Sequence, residues 1–318
     1  MPVIFVTVLL QVIPSSDGPL ESVGLQAALD RAGFSPGLID GGPGAKTQAA
    51  LEAFQRFKGL PTTGHADAAT RAALGTDSHP AVMRYAITTA DAADVAPPPS
   101  NWIAKSKADR LRYPSLAALV GEQGHCTRWL LAKLNPGLNL DRLKAGDVLV
   151  VPNVASSLRP PRALRLDIDF DAKTIRVIDK AGRTAALFHC SIAKHKWKRP
   201  SGPCKVVVVR RDPDYLFDPK MWPEVKDAKR KLVIPPGPRN PVGLCWIGLS
   251  LDGFGIHGTP EPELVGRTGS HGCFRLTNWD ALRLGEMVRV GTPVRFTESA
   301  AAVAARTPRS SRSHPARR

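Results

Sequence analysis

Residues Ile256 to Leu276 read IHGTPEPELVGRTGSHGCFRL. The stretch holds two His-Gly pairs, at 257–258 and 271–272, and one cysteine, Cys273, between Gly272 and Phe274. Three readings compete for such a cysteine: a reactive thiol, a metal ligand or a buried structural residue. A nucleophilic thiol attacks as the thiolate. It needs a base or cation beside it, most often histidine, and backbone N–H groups aimed at the oxyanion that forms. The stretch can supply most of this. Gly272 lets the backbone approach a substrate carbonyl closely, and the amides of Gly272 and Cys273 can form the oxyanion hole. His257 ends a predicted strand sixteen positions before Cys273, and a loop with Pro260, Pro262 and Gly266 can bring the two strand ends together. His257 then serves as base, with its other ring nitrogen held by a backbone carbonyl. A predicted helix starting near Asn278 adds a dipole that favours the thiolate. His271 is the alternative base. Zinc held by His257, His271 and Cys273 has no HExxH or CxxC pattern behind it and no evident fourth ligand, so no metal site is expected. An inert core thiol fits poorly with an HGC loop just before a helix cap.

Working outward, residues 162–297 are strand-rich. ALRLDIDFDAKTIRVIDKAGRTAALFHCSIA alternates apolar and polar with turn signals between, and KVVVVRR, GLCWIGLSL, FGIHG and GTPVRF add strands. TNWDALRLGEMVRV is the one clear helix, with Thr277 or Asn278 placed to cap it. Upstream lie KRPSGP, 198–203, and PPGPRNPVGLCWIGL, 235–249.

These residues together resemble the L,D-transpeptidase (YkuD-type) catalytic domain. That family's HG on a strand, then a loop, then [S/T]-H-G-C-x-R, is met by His257-Gly258 and by Ser270-His271-Gly272-Cys273-Phe274-Arg275. Its PPGP-x-NP-x-G segment is met at 235–243, and its TP-x-G segment with Ser201 in place of Thr. The resemblance implies that Cys273 is the nucleophile. It implies that His257 is the base that activates Cys273 and later protonates the leaving amine. Ser270, His271 and Gly272, with Gly258, would shape the pocket and oxyanion hole. Arg275 would hold a substrate carboxylate or the loop itself. Some members add a tyrosine hydroxyl to the oxyanion hole; no tyrosine follows Tyr215 here, so that donor is expected to be missing or replaced. The implied activity is cell-wall cross-linking through a thioacyl enzyme on a peptidoglycan stem peptide, without a cofactor. If water replaces the acceptor amine, the same residues give an L,D-carboxypeptidase. A catalytically inactive wall-binding protein is the third alternative.

Residues 20–76 read as three short helices with Gly-rich turns. Leu25-Gln26, Leu29, Asp40-Gly41, Gly44, Thr47, Ala50-Leu51, Phe54-Gln55, Gly59-Leu60, Gly64, Asp67 and Thr70 resemble the peptidoglycan-binding type 1 pattern. Residues 81–154 are less regular. LNPGLNLDRLKAGDVLVVP resembles the closing half of a LysM module, a small glycan-binding fold, but the usual opening is missing and Pro97 to Pro99 sit where it is expected. The expected whole is multidomain: a small all-α N-terminal bundle, a small α+β LysM-like segment, and a mostly-β catalytic domain built as a mixed sheet or sandwich.

The totals bound the partners. A net charge of +16 in 318 residues calls for an anionic partner. Nucleic acid lacks a zinc finger, an RNP motif or basic residues interleaved with aromatics, so the wall polymer is expected. Five cysteines, 126, 190, 204, 245 and 273, include no CxxC pair, and the odd count leaves at least one free thiol. The first four read as structural, and a Cys190–Cys204 disulfide is allowed. Val3 to Ile13 is an apolar run of signal-peptide length, too short to span a bilayer. It lacks a positive n-region and a small-residue cleavage site. Residues 1–19 are accordingly weighed as a leader against a first strand or packing segment, and export to the periplasm or cell wall is expected. No integral membrane segment is evident. The Arg, Pro, Ser and Ala composition of 298–318 reads as a disordered basic tail.

Overall fold

Helices come first along the chain, where the apolar spacing predicts them. In the computed structural model the described residues are 18–156, 159–222, 225–269 and 272–298. The leader expected at 1–19 and the tail at 298–318 therefore fall almost wholly outside the described residues. The bundle comprises α1 (Gly18–Arg31), α2 (Ala45–Lys58) and α3 (Ala68–Leu74). On α2, Ala50, Leu51, Ala53 and Phe54 are buried, and the helix ends at Gly59 with φ 70°. Asp67 caps α3 by accepting from the Thr70 N–H at 2.8 Å. Two buried glutamines explain why the loops hold their shape. Gln26 accepts from the Asp40 and Gly41 N–H groups at 3.1 and 2.8 Å, and Gln55 accepts from those of Thr63 and Gly64, both at 3.0 Å. Each amide side chain thus satisfies a turn whose backbone has no secondary-structure partner.

The next segment is framed by β1 (Val82–Ala86) and β2 (Val148–Pro152), which pair antiparallel from Val82↔Pro152 to Ala86↔Val148. Between them lie α4 (Thr89–Ala93), α5 (Trp102–Lys107), α6 (Leu116–Gln123) and α7 (Arg128–Leu134). This corrects the expected location of the opening strand. It lies upstream of the Pro97–Pro99 run, and residues 88–114 form an excursion between the strand and α6. Proline has no N–H for a ladder, so that run cannot supply the strand. Asn135 ties the LNPG turn to β2: its side chain accepts from the Val150 N–H at 2.7 Å and donates to the Val150 carbonyl at 2.8 Å.

The largest sheet has eight strands: β3 (Arg165–Asp169), β4 (Thr174–Ile178), β5 (Thr184–His189), β6 (Cys204–Arg211), β9 (Cys245–Leu249), β10 (Gly255–His257), β11 (Phe274–Arg275) and β12 (Pro293–Thr297). β7 (Tyr215–Phe217) and β8 (Leu232–Ile234) form a separate hairpin, and α8 (Asn278–Met287) precedes β12. The sheet order is β11-β10-β9-β6-β12-β3-β4-β5, parallel at β10/β11 and β12/β3 and antiparallel elsewhere. The chain leaving β5 crosses back to β11, where Ser191 and Arg275 exchange both backbone hydrogen bonds, at 2.8 and 3.1 Å. The mixed sheet therefore curls until its ends meet. Its core is Leu166, Ile168, Val177, Phe188, Val206, Ile247, Ile256 and Phe274 with Leu284 of α8. Thr277, not Asn278, caps α8, accepting from the Asp280 N–H at 3.2 Å. Cys190 and Cys204 are both buried thiols with no disulfide between them. The Cys190–Cys204 disulfide is thus not formed, because each thiol packs separately into the sheet's apolar core.

The three segments share cores rather than hanging on linkers. Val23 and Ala27 of α1 complete the core of the middle segment, and Leu187 of β5 completes that of the bundle. A buried polar knot adds to this. Arg283 of α8 donates to Asp30 at 2.9 Å, and the His125 ring lies 3.0 Å from the same carboxylate. Burial alone would raise the Asp30 carboxyl, but Arg283 and His125 hold it well below the usual carboxylate range.

Candidate active site

Register decides which side chains meet. β10 and β11 run parallel with Ile256 opposite Phe274 and His257 opposite Arg275. Side chains alternate across a strand. Ile256 and Phe274 therefore point together into the core, where both are fully buried. His257 and Arg275 share the other face, and Cys273, two residues before Arg275, belongs to that face too. Register thus puts the histidine and the cysteine on one face of the strand pair, diagonally across it.

His257 is fixed by two contacts. Its Nδ1 lies 2.6 Å from the Gly258 carbonyl. A carbonyl only accepts, so Nδ1 carries the proton and Nε2 keeps its lone pair. The ring stacks on Trp246 of β9, with centroids 5.7 Å apart and 24° between planes. The Trp246 ring in turn occupies the space over Gly255, where a Cβ would come within 2.3 Å of it. Burial pushes the His257 imidazolium down, to about 4, and Arg275 adds to the effect while the Gly258 carbonyl opposes it. His257 is therefore neutral at physiological pH.

Cys273 is half-buried, with its thiol 3.6 Å from the Gly253 carbonyl. Burial pushes the thiol above its ordinary range, and a hydrogen bond from the Gly255 amide and the Arg275 charge pull the other way. The resting pair is thus a neutral thiol beside a neutral imidazole rather than an ion pair. A neutral imidazole with a free Nε2 can take a thiol proton as attack begins.

The remaining expected site residues divide. Arg275 ties the loop: its Nη2 donates to Thr268 Oγ1 at 3.1 Å and to the Gly269 carbonyl at 2.6 Å. Gly258 packs against α8, since a Cβ there would lie 2.3 Å from Asn278 Oδ1. It acts through packing rather than as a pocket wall. Among the described residues, a Cβ on Gly272 would meet the Phe254 ring at 3.7 Å, an ordinary contact. Ser270 and His271 lie outside the described residues.

Two supports were not legible in the sequence. Lys46 of α2 donates to the Val265 carbonyl at 2.7 Å, so the bundle props the loop between His257 and Cys273. The second is Tyr215, on the 212–240 flap that carries β7 and β8. Burial pushes its phenol up against the opposing Trp222 hydrogen bond, and Cys273, once ionised, would push it further. Its oxygen accepts from the Trp222 indole N–H at 3.0 Å. That leaves the phenolic proton free to donate elsewhere. Sequence order alone set Tyr215 aside as an oxyanion donor. Nothing beside it in the sequence flags the contact, which the flap creates. A separate cleft of about 350 Å³ opens between α2 and β3–β5, lined by Glu52, Arg56, Asp169, Arg176 and Arg183. None of its lining residues is a cysteine or a histidine, and it includes none of the strands that carry His257 and Cys273.

Comparison with known proteins bears on two regions. Residues 164–296 match the profile of the L,D-transpeptidase catalytic domain, YkuD, and residues 23–74 match that of a peptidoglycan binding domain. The chain is 29% identical over 171 residues to the Bacillus licheniformis protein named as L,D-transpeptidase YkuD, covering 54% of this chain and 87% of that one. It is 31% identical over 175 residues to the Escherichia coli protein named as L,D-transpeptidase YbiS, covering 53% and 55%. Among solved structures it resembles an L,D-transpeptidase from Mycobacterium smegmatis at 19% identity and TM-score 0.34, over 47% of this chain and 66% of that chain. L,D-transpeptidase 3 from Mycobacterium tuberculosis, with a faropenem-derived adduct, gives 17% identity and TM-score 0.33, over 48% and 67%. The chain thus spans just under two thirds of the M. smegmatis protein and about half of YbiS.

Proposed function

This chain carries an L,D-transpeptidase catalytic domain over residues 164–296 and a peptidoglycan binding domain over residues 23–74, and from that premise we propose that it cross-links peptidoglycan with Cys273 as nucleophile. The observation that carries the reading is the diagonal of Cys273 and His257 on one face of β10/β11, with Nδ1 of His257 spent on Gly258 and Nε2 left free. The Cys273 thiol passes its proton to His257 Nε2 as the sulfur attacks the amide carbonyl at the L-centre of a stem peptide's third residue. The amides of Gly272 and Cys273, with the Tyr215 hydroxyl, receive the oxyanion. The C–N bond breaks, His257 returns the proton to the departing D-alanine amine, and a thioester remains. A side-chain amine of a second stem then attacks the thioester, and the thiol leaves to complete the cross-link. Arg275 keeps the 268–269 backbone in place beside the thiol.

The bundle would hold the enzyme on its polymer and raise the local concentration of stem peptides without altering the chemistry. Read as LysM-like, the strand-framed segment at 81–154 would add a second wall contact. A peptidoglycan substrate puts the protein outside the cytoplasm, in the periplasm or cell wall. No helix among the described residues is long and apolar enough to cross a membrane. The test is acylation by a carbapenem, read by intact-protein mass. One adduct mapped to Cys273 and lost in Cys273→Ala is expected; an unlabelled wild-type protein would overturn the reading.

A further inference from the structure

The excursion at 88–114 interrupts the middle segment and, besides packing Tyr113 into that segment's core, reaches the catalytic segment's flap. Both roots of the flap are tied to it. Arg110 pairs with Asp212 at the first root and also reaches Asp94 at 3.3 Å. Leu111 donates to the Pro236 carbonyl at 2.8 Å and accepts from the Arg239 N–H at 3.1 Å at the second root. The approach is close enough that a Cβ on Gly237, at φ 133°, would lie 2.3 Å from the Leu111 carbonyl oxygen. Between the roots, β7 and β8 pair with Tyr215 opposite Ile234 and Phe217 opposite Leu232. An isolated two-stranded hairpin is marginal in water and needs a surface to pack on. Trp102, at the start of α5, supplies it. Its ring stacks on Phe217 at 4.2 Å and meets Tyr215 and Trp222 at 6.4 and 5.7 Å. Asp227 of the flap accepts from the Trp102 N–H at 3.0 Å. With Leu111, Phe217, Ala228, Leu232 and Ile234, this makes a core independent of the main sheet.

We propose that the excursion is a clamp that sets the flap over the thiol, and that Trp102 is a positioning residue for acyl transfer, acting through Tyr215. The inference rests on the reading of Cys273 as nucleophile and Tyr215 as oxyanion donor. Trp102 meets the phenol ring itself, Phe217 beside it on the hairpin, and Trp222, the indole that donates to the phenol oxygen. If the hairpin tilts away, Tyr215 loses the place from which its proton reaches the oxyanion, while the Cys273–His257 pair stays intact on its strands. The middle segment thereby contributes to the rate of chemistry as well as to any wall contact.

The experiment follows carbapenem acylation in the full-length protein. The Cys273–carbonyl bond forms, the ring C–N bond breaks and the thiol proton ends on the ring nitrogen. Tyr215→Phe should slow acylation about 10²- to 10³-fold, and Trp102→Ala about 10-fold or more. The double variant should be no slower than Tyr215→Phe, because residues acting through one group are not additive. Asp227→Ala, on the exposed side of the flap, loosens the same contact with less risk to folding and should give a smaller slowing. Hydrogen exchange gives a readout that does not depend on activity: in Trp102→Ala the amides of 215–217 and 232–234 should exchange faster while β9, β10 and β11 keep their protection. Wild-type acylation rates in Trp102→Ala, a multiplicative double variant or unchanged flap exchange would each overturn the clamp. Failure of the wild type to acylate, with flap exchange altered as expected, would instead count against the reading of the thiol.

Discussion

His257 and Cys273 stand on adjacent strands of one sheet, whereas the two loops that flank them are held by residues more than a hundred positions away. Val265 is held by Lys46, and the 212–240 flap by Trp102, Arg110 and Leu111. The floor gets its geometry from ladder hydrogen bonds and the strand pleat, so the distance between thiol and imidazole follows from register alone. The walls get theirs from packing between segments. A substitution in the floor should remove the chemistry, and one in a wall should slow it.

The largest effect is expected at the floor. His257→Ala should slow Cys273 acylation by about 10²- to 10⁴-fold, the range for loss of a general base. A loss under about 3-fold would move the base elsewhere, with His271 the next to test. The pH dependence of the wild-type rate sharpens the same point. His257 is pushed down to about 4 and is neutral above that. The base form is then complete from about pH 5 upward, and the rate should fall only as pH drops through about 4. An acid limb near pH 6.5, the ordinary imidazole value, would contradict the burial argument. Gly255→Ala drives a methyl into the Trp246 ring. It should lower stability by about 1–3 kcal/mol in denaturant unfolding, as overpacking does; an unchanged midpoint would mean Trp246 moves aside freely. The smallest effect is expected at the polar wall. Lys46→Met removes one hydrogen bond to Val265, worth about 1 kcal/mol, so acylation should slow only about 2- to 5-fold with the melting temperature nearly unchanged.

The same division governs what could be read from the chain alone. The floor was legible because HGC, the preceding HG strand and the helix cap lie within a few dozen residues and each has a local physical cause. The bundle was legible too: Gln26 and Gln55 fall in a recurring pattern because each must satisfy the backbone of its own turn. The usual opening of the middle segment looks absent in the sequence because 88–114 separates the strand Val82–Ala86 from the helices that follow. Tyr215 was set aside because its approach to Cys273 depends on a hairpin propped by a tryptophan from another segment. Apolar spacing on α1 says that Val23 and Ala27 are buried, but not that the middle segment buries them.

The most direct test of Cys273-dependent transpeptidation is incubation of the full-length protein and Cys273→Ala with a disaccharide-tetrapeptide, followed by mass spectrometry. A cross-linked dimer with loss of one D-alanine, made by the wild type alone, is the predicted result. D-alanine release without a dimer, or product from both proteins, would contradict it.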